Sequence, residues 1–296
     1  MNILLKSCFL TVVICSSCAH DEEVKKVSAV SPGDKFILSS QKASFVETPD
    51  EKDLSSRLDE IDSQLAENSS DSDLIKQKMD LQLLLGKNAE AIKSGKLLLI
   101  QGVEEAGVFM RIALAALKDR KYGLAEYILT RPICEKDSDC QNLLGVLSYV
   151  KQKIPDAVNY FKKSITLNQK NISPSLNLAL VYIEYHKYDD AWDEINGVLK
   201  LDKNNTNALM HKAILLNLRN ENVKALEIYN SIADSDPGNA VMLFNSAVLL
   251  YQEKDYDSAL KKLKKSLKSA QEYQINLDPL IKLKEEIKVQ KKISEK

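Results

Sequence analysis

The chain has 296 residues, of which 44% are hydrophobic and 28% charged, and its 41 Lys and Arg against 42 Asp and Glu leave a formal net charge of −1. This balance excludes a disordered chain and a strongly basic nucleic-acid binder, so we expect no nucleic-acid partner. With 9 Gly, 7 Pro and 3 His, the composition favours an all-α fold and leaves few residues for metal or acid–base chemistry, so we expect no enzyme, no metal and no cofactor.

The first 20 residues have the layout of a secretory signal. An apolar run from Cys8 to Cys15 follows one cation, and two serines come after it. The run of about eight residues is too short to cross a bilayer, which needs about 20. Ser16, Ser17 and Cys18 resemble the cleavage site of a bacterial lipoprotein, although Cys15 stands where that family prefers Leu.

The lipoprotein resemblance implies a signal peptide over residues 1–17 and lipid attachment, including palmitate, at Cys18. It also implies a membrane contact through that lipid and, since Ala19 rather than Asp follows the cysteine, a place at the outer membrane facing the periplasm. A secreted chain without lipid and an uncleaved N-terminus are the alternatives. Residues 18–50 mix charges, Ser and Pro without a helical period, and they predict a flexible tether.

From Glu51 the hydrophobic pattern becomes helical. Leu54, Leu58, Ile61 and Leu65 are spaced by 4, 3 and 4 residues. Such a stripe is typical of one face of a helix, so the sequence predicts an N-terminal helix within residues 51–71.

An internal repeat occupies residues 72–273. Its marker alanines, spaced by 34, 32, 34, 34 and 34 residues, are Ala91, Ala125, Ala157, Ala191, Ala225 and Ala259. Twelve residues before the marker most units carry a small residue and four after it a bulky one, as Gly145 and Phe161 do around Ala157. The pattern resembles the tetratricopeptide repeat (TPR), a helix–turn–helix unit of 34 residues. The resemblance implies an all-α, right-handed superhelical solenoid of about six units. The first unit departs from it, with Met79 and Gly95 where small and bulky residues are expected.

Two cysteines lie in the second unit, which is two residues short. Cys134 and Cys140 remain once the signal and Cys18 are set aside, and their spacing is not that of a zinc site. In the oxidising compartment that the lipoprotein resemblance implies, we predict that they form a disulfide where the usual turn is missing. Two unrelated, partly buried thiols are the alternative.

Residues 274–296 predict a basic capping helix. Asp278 and Pro279 are typical of a helix start. The apolar stripe that follows consists of Leu280, Leu283 and Ile287. Between Lys261 and Lys296 there are 11 Lys and 5 acids. A solvated face is the ordinary interpretation, and contact with anionic lipid, a glycan or an acidic partner is the alternative.

In TPR proteins the inner face of the first helix of each unit lines a concave groove. The residues at those positions are Val146, Leu176, Asn177, Leu180, Met210, His211, Ile214, Phe244, Asn245 and Val248. The apolar members predict a groove for a partner's amphipathic helix or extended segment, with Asn177, His211 and Asn245 placed to hydrogen-bond its backbone. The alternative is that the apolar members only fill the core between helices.

These features lead us to expect a lipid-anchored TPR scaffold that recruits protein partners to a bacterial envelope complex. Lipoproteins with this layout resemble the pilotin-like assembly factors of type IV pili and components of motility or outer-membrane assembly complexes. One alternative is an adaptor that presents a peptidoglycan enzyme to the cell wall; another is a self-assembling structural protein whose groove takes the N-terminal segment of a neighbouring copy. The sequence fixes neither the partner nor the oligomeric state.

Overall fold

A computed structural model describes residues 51–235, 239–272 and 277–295, and over these ranges the chain is α-helical and contains no strand. The helices are α1 (Glu51–Glu67), α2 (Ser72–Leu84), α3 (Asn88–Ile100), α4 (Ala106–Lys118), α5 (Tyr122–Leu129), α6 (Ser138–Val150), α7 (Ile154–Leu167), α8 (Ile172–Glu184), α9 (Tyr188–Leu201), α10 (Thr206–Leu218), α11 (Asn222–Ser235), α12 (Ala240–Gln252), α13 (Tyr256–Glu272) and α14 (Asp278–Ser294). A short 3-10 helix, Pro132–Cys134, follows α5. The predicted all-α fold is confirmed.

The N-terminal predictions fall outside this part of the chain. The signal peptide (residues 1–17), the lipid-attachment residue Cys18 and the tether (18–50) all precede the first described residue. Among the helices that the structure does describe, none combines the length and apolar character that crossing a bilayer requires. The lipid anchor therefore stays a prediction.

The described chain divides into two compact units. The first extends to Leu178, and its core includes the fully buried Ile112 and Leu143. The second starts at the next residue, within α8, and its core includes the fully buried Leu263 and Ile287. Each unit thus has an apolar core of its own.

Twelve of the helices, α2 to α13, form six consecutive pairs that correspond to the predicted repeats. In each pair we call the earlier helix the first helix and the later one the second helix. All six first helices are 13 residues long. The marker alanine on every second helix is fully buried. In five pairs the bulky residue four positions later is also buried: Leu129, Phe161, Ile195, Tyr229 and Leu263.

Gly145 shows why the crossing point needs a small residue. A Cβ atom built on Gly145 would lie 2.5 Å from Cε1 of Phe161, the bulky residue of the same pair. Non-bonded carbon atoms in close-packed interiors keep about 3.5 Å or more between them. The Phe161 ring therefore packs directly against the backbone of α6, and it fills the space that a side chain at Gly145 would occupy.

The first pair solves the same packing problem with the sizes exchanged. Met79 occupies the small position on α2 and is fully buried, while Gly95 occupies the bulky position on α3. A Cβ on Gly95 would lie 2.9 Å from Cε of Met79 and still closer to Cγ1 of Ile112. In this pair the large side chain lies on the first helix and the small residue on the second. The first repeat therefore departs from the size pattern of the others but keeps its two helices in contact.

A left-handed residue ends every first helix. The positive-φ positions between paired helices are Gly86, Arg120, Gln152, His186, Asn220 and Lys254. The residue after each of these positions donates its backbone N–H to the carbonyl five residues earlier, as Lys121 does to Ala116 at 2.8 Å. This is the hydrogen bond of a Schellman motif. Only one of the six residues is glycine, although this backbone region costs other L-residues about 1–2 kcal/mol. Packing of the two helices therefore sets the turn geometry more strongly than residue preference does.

Helix α14 closes the second unit. Leu280 and Ile287 are buried against the core, and Leu283 is partly buried there. The helix starts at Asp278, with Leu277 rather than Asp278 in the N-cap position. An ion pair between Lys291 and Asp257 ties α14 to α13.

We expect Gly145→Ala to destabilise the protein by about 1–3 kcal/mol, because the new methyl group would overlap the Phe161 ring. Urea unfolding measures this change. The double variant Gly145→Ala/Phe161→Ile copies the natural pair Ala179 and Ile195 of the fourth repeat. It should therefore lose less stability than the two single changes added together. Strictly additive losses would contradict the direct contact.

Candidate protein-binding surface

The ten predicted groove residues lie on the first helices α6, α8, α10 and α12. Eight of them are buried, none with more than 7% of its surface exposed: Val146, Leu176, Asn177, Leu180, Met210, Ile214, Phe244 and Asn245. His211 and Val248 are partly exposed. Burial favours the alternative that the apolar members fill the core between helices. Direct contact of these eight side chains with a partner stays a prediction.

Partly exposed side chains on the same helices mark where a partner can be reached. Leu218 lies one helical turn after Ile214 on α10, and Val248 lies at the position of α12 that matches Ile214. We call His211, Leu218 and Val248 the first-helix surface. Because these side chains are neither fully packed nor charged, they suit a partner that presents apolar and polar groups together.

The predicted polar residues have different surroundings. Asn177 donates from Nδ2 to Oδ1 of Asn142 at 2.8 Å, and both side chains are buried. Asn142, which the groove prediction did not include, therefore fixes the Asn177 amide. Asn245 is buried on α12. An indication of this contact was present in the sequence, because Asn142 and Asn177 are 35 residues apart, close to the length of one repeat, and so lie at similar positions on the first helices of neighbouring repeats.

His211 is a titratable group of this surface whose ring is only partly exposed. Its Nδ1 atom is buried and has no hydrogen-bond partner among the described residues. Burial lowers the pKa of His211 from 6.5 to about 4, because a charged imidazolium loses its hydration there. The ring is therefore neutral at physiological pH. Within the described ranges no group of three or more His, Cys, Asp and Glu side chains is placed to hold a metal ion.

A cation–aromatic cluster on the second unit was missed by sequence reasoning. The Trp192 ring on α9 has Lys212 Nζ 5.1 Å and Arg219 Cζ 5.0 Å from its centroid. Arg219 also pairs with Asp189, with Nη2 and Oδ1 2.6 Å apart. Cations over an indole face attract the ring electrostatically. The signal was present, because Lys212 and Arg219, the C-cap residue of α10, are spaced by seven residues, which is about two helical turns.

The two cysteines meet at the shortened second repeat. Helix α5 has only eight residues, and the 3-10 helix that replaces its end brings Cys134 next to Cys140. Both side chains are buried, and their Sγ atoms are 2.6 Å apart. The pKa of Cys140 is raised, first by its hydrogen bond to Cys134 and then by burial. Gln141 Nε2 donates to the Cys134 carbonyl at 2.9 Å and holds the segment in place.

The arrangement of paired helices is that of solved TPR proteins. A tetratricopeptide repeat protein from Parabacteroides merdae superposes with a TM-score of 0.61 at 16% identity, over 80% of this chain and 93% of the other. PilF of Pseudomonas aeruginosa gives 0.59 at 19% identity, over 75% and 98%. The APC/C hetero-tetramer Cut9–Hcn1 gives a TM-score of 0.56 at 17% identity, over 79% of this chain and 45% of the other. At these identities the likeness establishes the fold, which is the predicted TPR solenoid.

Sequence comparison finds relatives that share only part of their length with this chain. The BBSome complex member BBS4 of Xenopus tropicalis is 24% identical over 159 residues, which are 53% of this chain and 31% of the relative. Bovine (Bos taurus) BBS4 is 29% identical over 111 residues, which are 38% and 21%. The chain thus spans less than a third of the curated relatives it matches. No protein-family model matches the sequence.

We expect the free energy of unfolding to fall as the pH drops from about 6.5 to about 4, by at most about 3 kcal/mol from His211 alone. In this range the unfolded chain takes up a proton on His211 that the folded chain excludes, since its folded pKa is about 4. Urea unfolding followed through Trp192, the single tryptophan, measures the change. His211→Gln should flatten the pH profile, whereas the exposed-site control His186→Gln should keep it. Equal pH dependence in wild type and His211→Gln would refute the assignment.

Proposed function

We propose that this protein is a non-enzymatic TPR scaffold whose first-helix surface binds protein partners. The observation that carries the proposal is the arrangement of six helix pairs, in which each marker alanine is fully buried and the first helices keep partly exposed side chains such as Leu218 and Val248. Within each unit, helix pairs of this kind display side chains on well-packed helices, which suits recognition of an extended or helical segment.

The setting we propose is a bacterial envelope complex, such as a type IV pilus, motility or outer-membrane assembly machine. Support for the lipid anchor comes from Ser16, Ser17 and Cys18 and the short apolar run before them. The matched BBS4 proteins are named as members of a complex, and assembly into a complex is the role we propose for this chain. The lipid at Cys18 would hold the scaffold at the periplasmic face of the outer membrane.

The cysteine pair fits the same setting. We propose that Cys134 and Cys140 form a disulfide in the oxidising periplasm, where the two thiols would lose two protons and two electrons to a disulfide oxidant. The 2.6 Å between their Sγ atoms and their burial support this step. The bond would close a loop at the point where the second helix of the repeat is short.

The partner surface is tested by photo-cross-linking in cells that express the chain natively. We expect a photoreactive amino acid at Leu218 or Val248 to capture the same partner, because both positions lie on first helices and are partly exposed. Asp193 and Gly197, which are exposed on the second helix α9, are the matched control positions. Equal capture at the control positions, or none at Leu218 and Val248, would rule out the first-helix surface.

For the disulfide, we expect Cys134 and Cys140 to resist alkylation in denaturant until a reductant is added, as measured by the mass of the intact chain. Denaturant is needed because burial and the raised pKa of Cys140 would protect free thiols as well. The free energy of unfolding of the variant Cys134→Ser/Cys140→Ser should be about 2 kcal/mol lower than that of the oxidised protein, which is the contribution expected for a disulfide that closes so short a loop. Alkylation of both residues without reductant would show that they are thiols.

A further inference from the structure

The helix α13 carries a row of lysines on its outer face. Lys261, Lys264, Lys265 and Lys268 are all exposed, and their spacing of three and four residues places them on one side of the helix. The opposite side packs into the core through Ala259, Leu263, Ser266 and Ala270, all fully or nearly fully buried. From Lys261 to Gln271 the sequence contains no acidic residue. These four cations therefore face solvent with no acid between them along the helix; the acids of α13 lie one turn before Lys261, at Asp257, and one turn after Lys268, at Glu272.

The helix α14 adds apolar side chains to this charged end of the unit. Ile281, Val289 and Ile293 are 47%, 55% and 59% exposed. They lie at intervals of eight and four residues, so they follow one side of the helix over about 18 Å. The exposed Lys282 and Lys292 lie on the same side. An outward row of large aliphatic residues on a helix whose other face is already buried needs an explanation beyond packing.

Three acids near this surface have partners within the fold, and two of these partners are lysines. Asp257 pairs with Lys291, Glu285 pairs with Lys288 at 2.8 Å, and Glu286 accepts a hydrogen bond from Tyr251 at 2.8 Å. The pKa of Glu285 is lowered, first by its hydrogen bond from Lys288 and then by the charges of neighbouring lysines. With 11 Lys against 5 acids from residue 261 onward, the exposed field of α13 and α14 is positive.

We propose that the outer faces of α13 and α14 bind an anionic lipid surface. We call this the basic–apolar surface, consisting of Lys261, Lys264, Lys265, Lys268, Ile281, Lys282, Val289, Lys292 and Ile293. Lysines bind the diffuse negative charge of phospholipid headgroups, and each one near the surface adds to the attraction. Isoleucine and valine among them reach the boundary between headgroups and acyl chains, as in helices that lie in the interface.

Lipid fits this surface better than a nucleic acid or an acidic protein. All cations from residue 261 onward are lysines and none is arginine, whereas paired recognition of phosphate or carboxylate groups favours the planar arginine side chain. An aromatic residue for stacking on bases is also missing from the basic–apolar surface. The contact is separate from the proposed acylation of Cys18, because it uses only folded residues of the second unit.

The test is co-sedimentation of the full chain carrying Cys18→Ser with vesicles, since that substitution prevents acylation. We expect binding to phosphatidylcholine vesicles containing about a third phosphatidylglycerol, and at least about tenfold weaker binding to phosphatidylcholine alone. Raising the salt concentration should weaken the binding. Equal binding to both vesicle types, or none to either, would overturn the proposal, and the second outcome with capture of an acidic protein would assign the surface to that protein.

Two variants distinguish binding through this surface from an effect of the net charge of the protein. Changing Lys261, Lys264, Lys265 and Lys268 together to Gln should reduce binding at least about tenfold, because the interfacial cations are lost. The matched control changes four other exposed lysines, Lys93, Lys96, Lys162 and Lys163, to Gln and alters the net charge by the same amount. It should bind as the parent does. Equal loss in both would overturn the assignment, while circular dichroism confirms that each variant remains helical.

Discussion

The close crossing of two helices at one small residue is the constraint on which the rest of the structure depends. In each pair the marker alanine is fully buried, and the Phe161 ring lies against the backbone of Gly145. Because the helices approach this closely, their relative angle is fixed, and so is the point at which the chain must turn. Every first helix is 13 residues long and is followed by a left-handed residue, as expected if the crossing lies at the same place in each pair. Small changes in volume at the crossing therefore act on the turn and on neighbouring repeats.

The repeat fold was predictable because its signals are local and periodic. The alanine spacing and the size pattern around it reflect the contact inside one pair, so a single sequence is enough to reveal them. Met79 and Gly95 depart from the repeat pattern because the pattern assigns one size to each position. Packing depends instead on the combined volume of the two facing residues, and a large Met79 facing a small Gly95 fills the same space as a small residue facing a large one. The turns show a similar limit. Arg120, Gln152 and Lys254 adopt positive φ, yet none of these residue types favours that region, so nothing in the sequence marks them.

The partner groove was harder to predict, because a row of apolar residues does not say which of its members meet solvent. Leu180 and Ile214 match the groove pattern but are buried, while Val248 at the equivalent position of its own repeat is partly exposed. A first helix in a stack has neighbours on two sides, so the same periodicity serves core and surface. Burial of the Nδ1 atom of His211 likewise depends on how the helices pack together. Its pKa and its missing hydrogen bond follow from that environment, which one helix's sequence does not contain.

Two membrane contacts on one chain would reinforce each other even if the folded one is weak. An acylated Cys18 followed by a tether of about 30 residues, as the sequence predicts, would keep the start of α1 within about 100 Å of the bilayer. A flexible link of this kind raises the effective concentration of the basic–apolar surface near the lipid, to about the millimolar range for short linkers. A surface with only millimolar affinity for lipid would then be occupied much of the time, yet it would still respond to salt because its attraction rests on exposed lysines. The acyl chain would decide where the scaffold resides, and the basic–apolar surface would decide how its second unit is presented there.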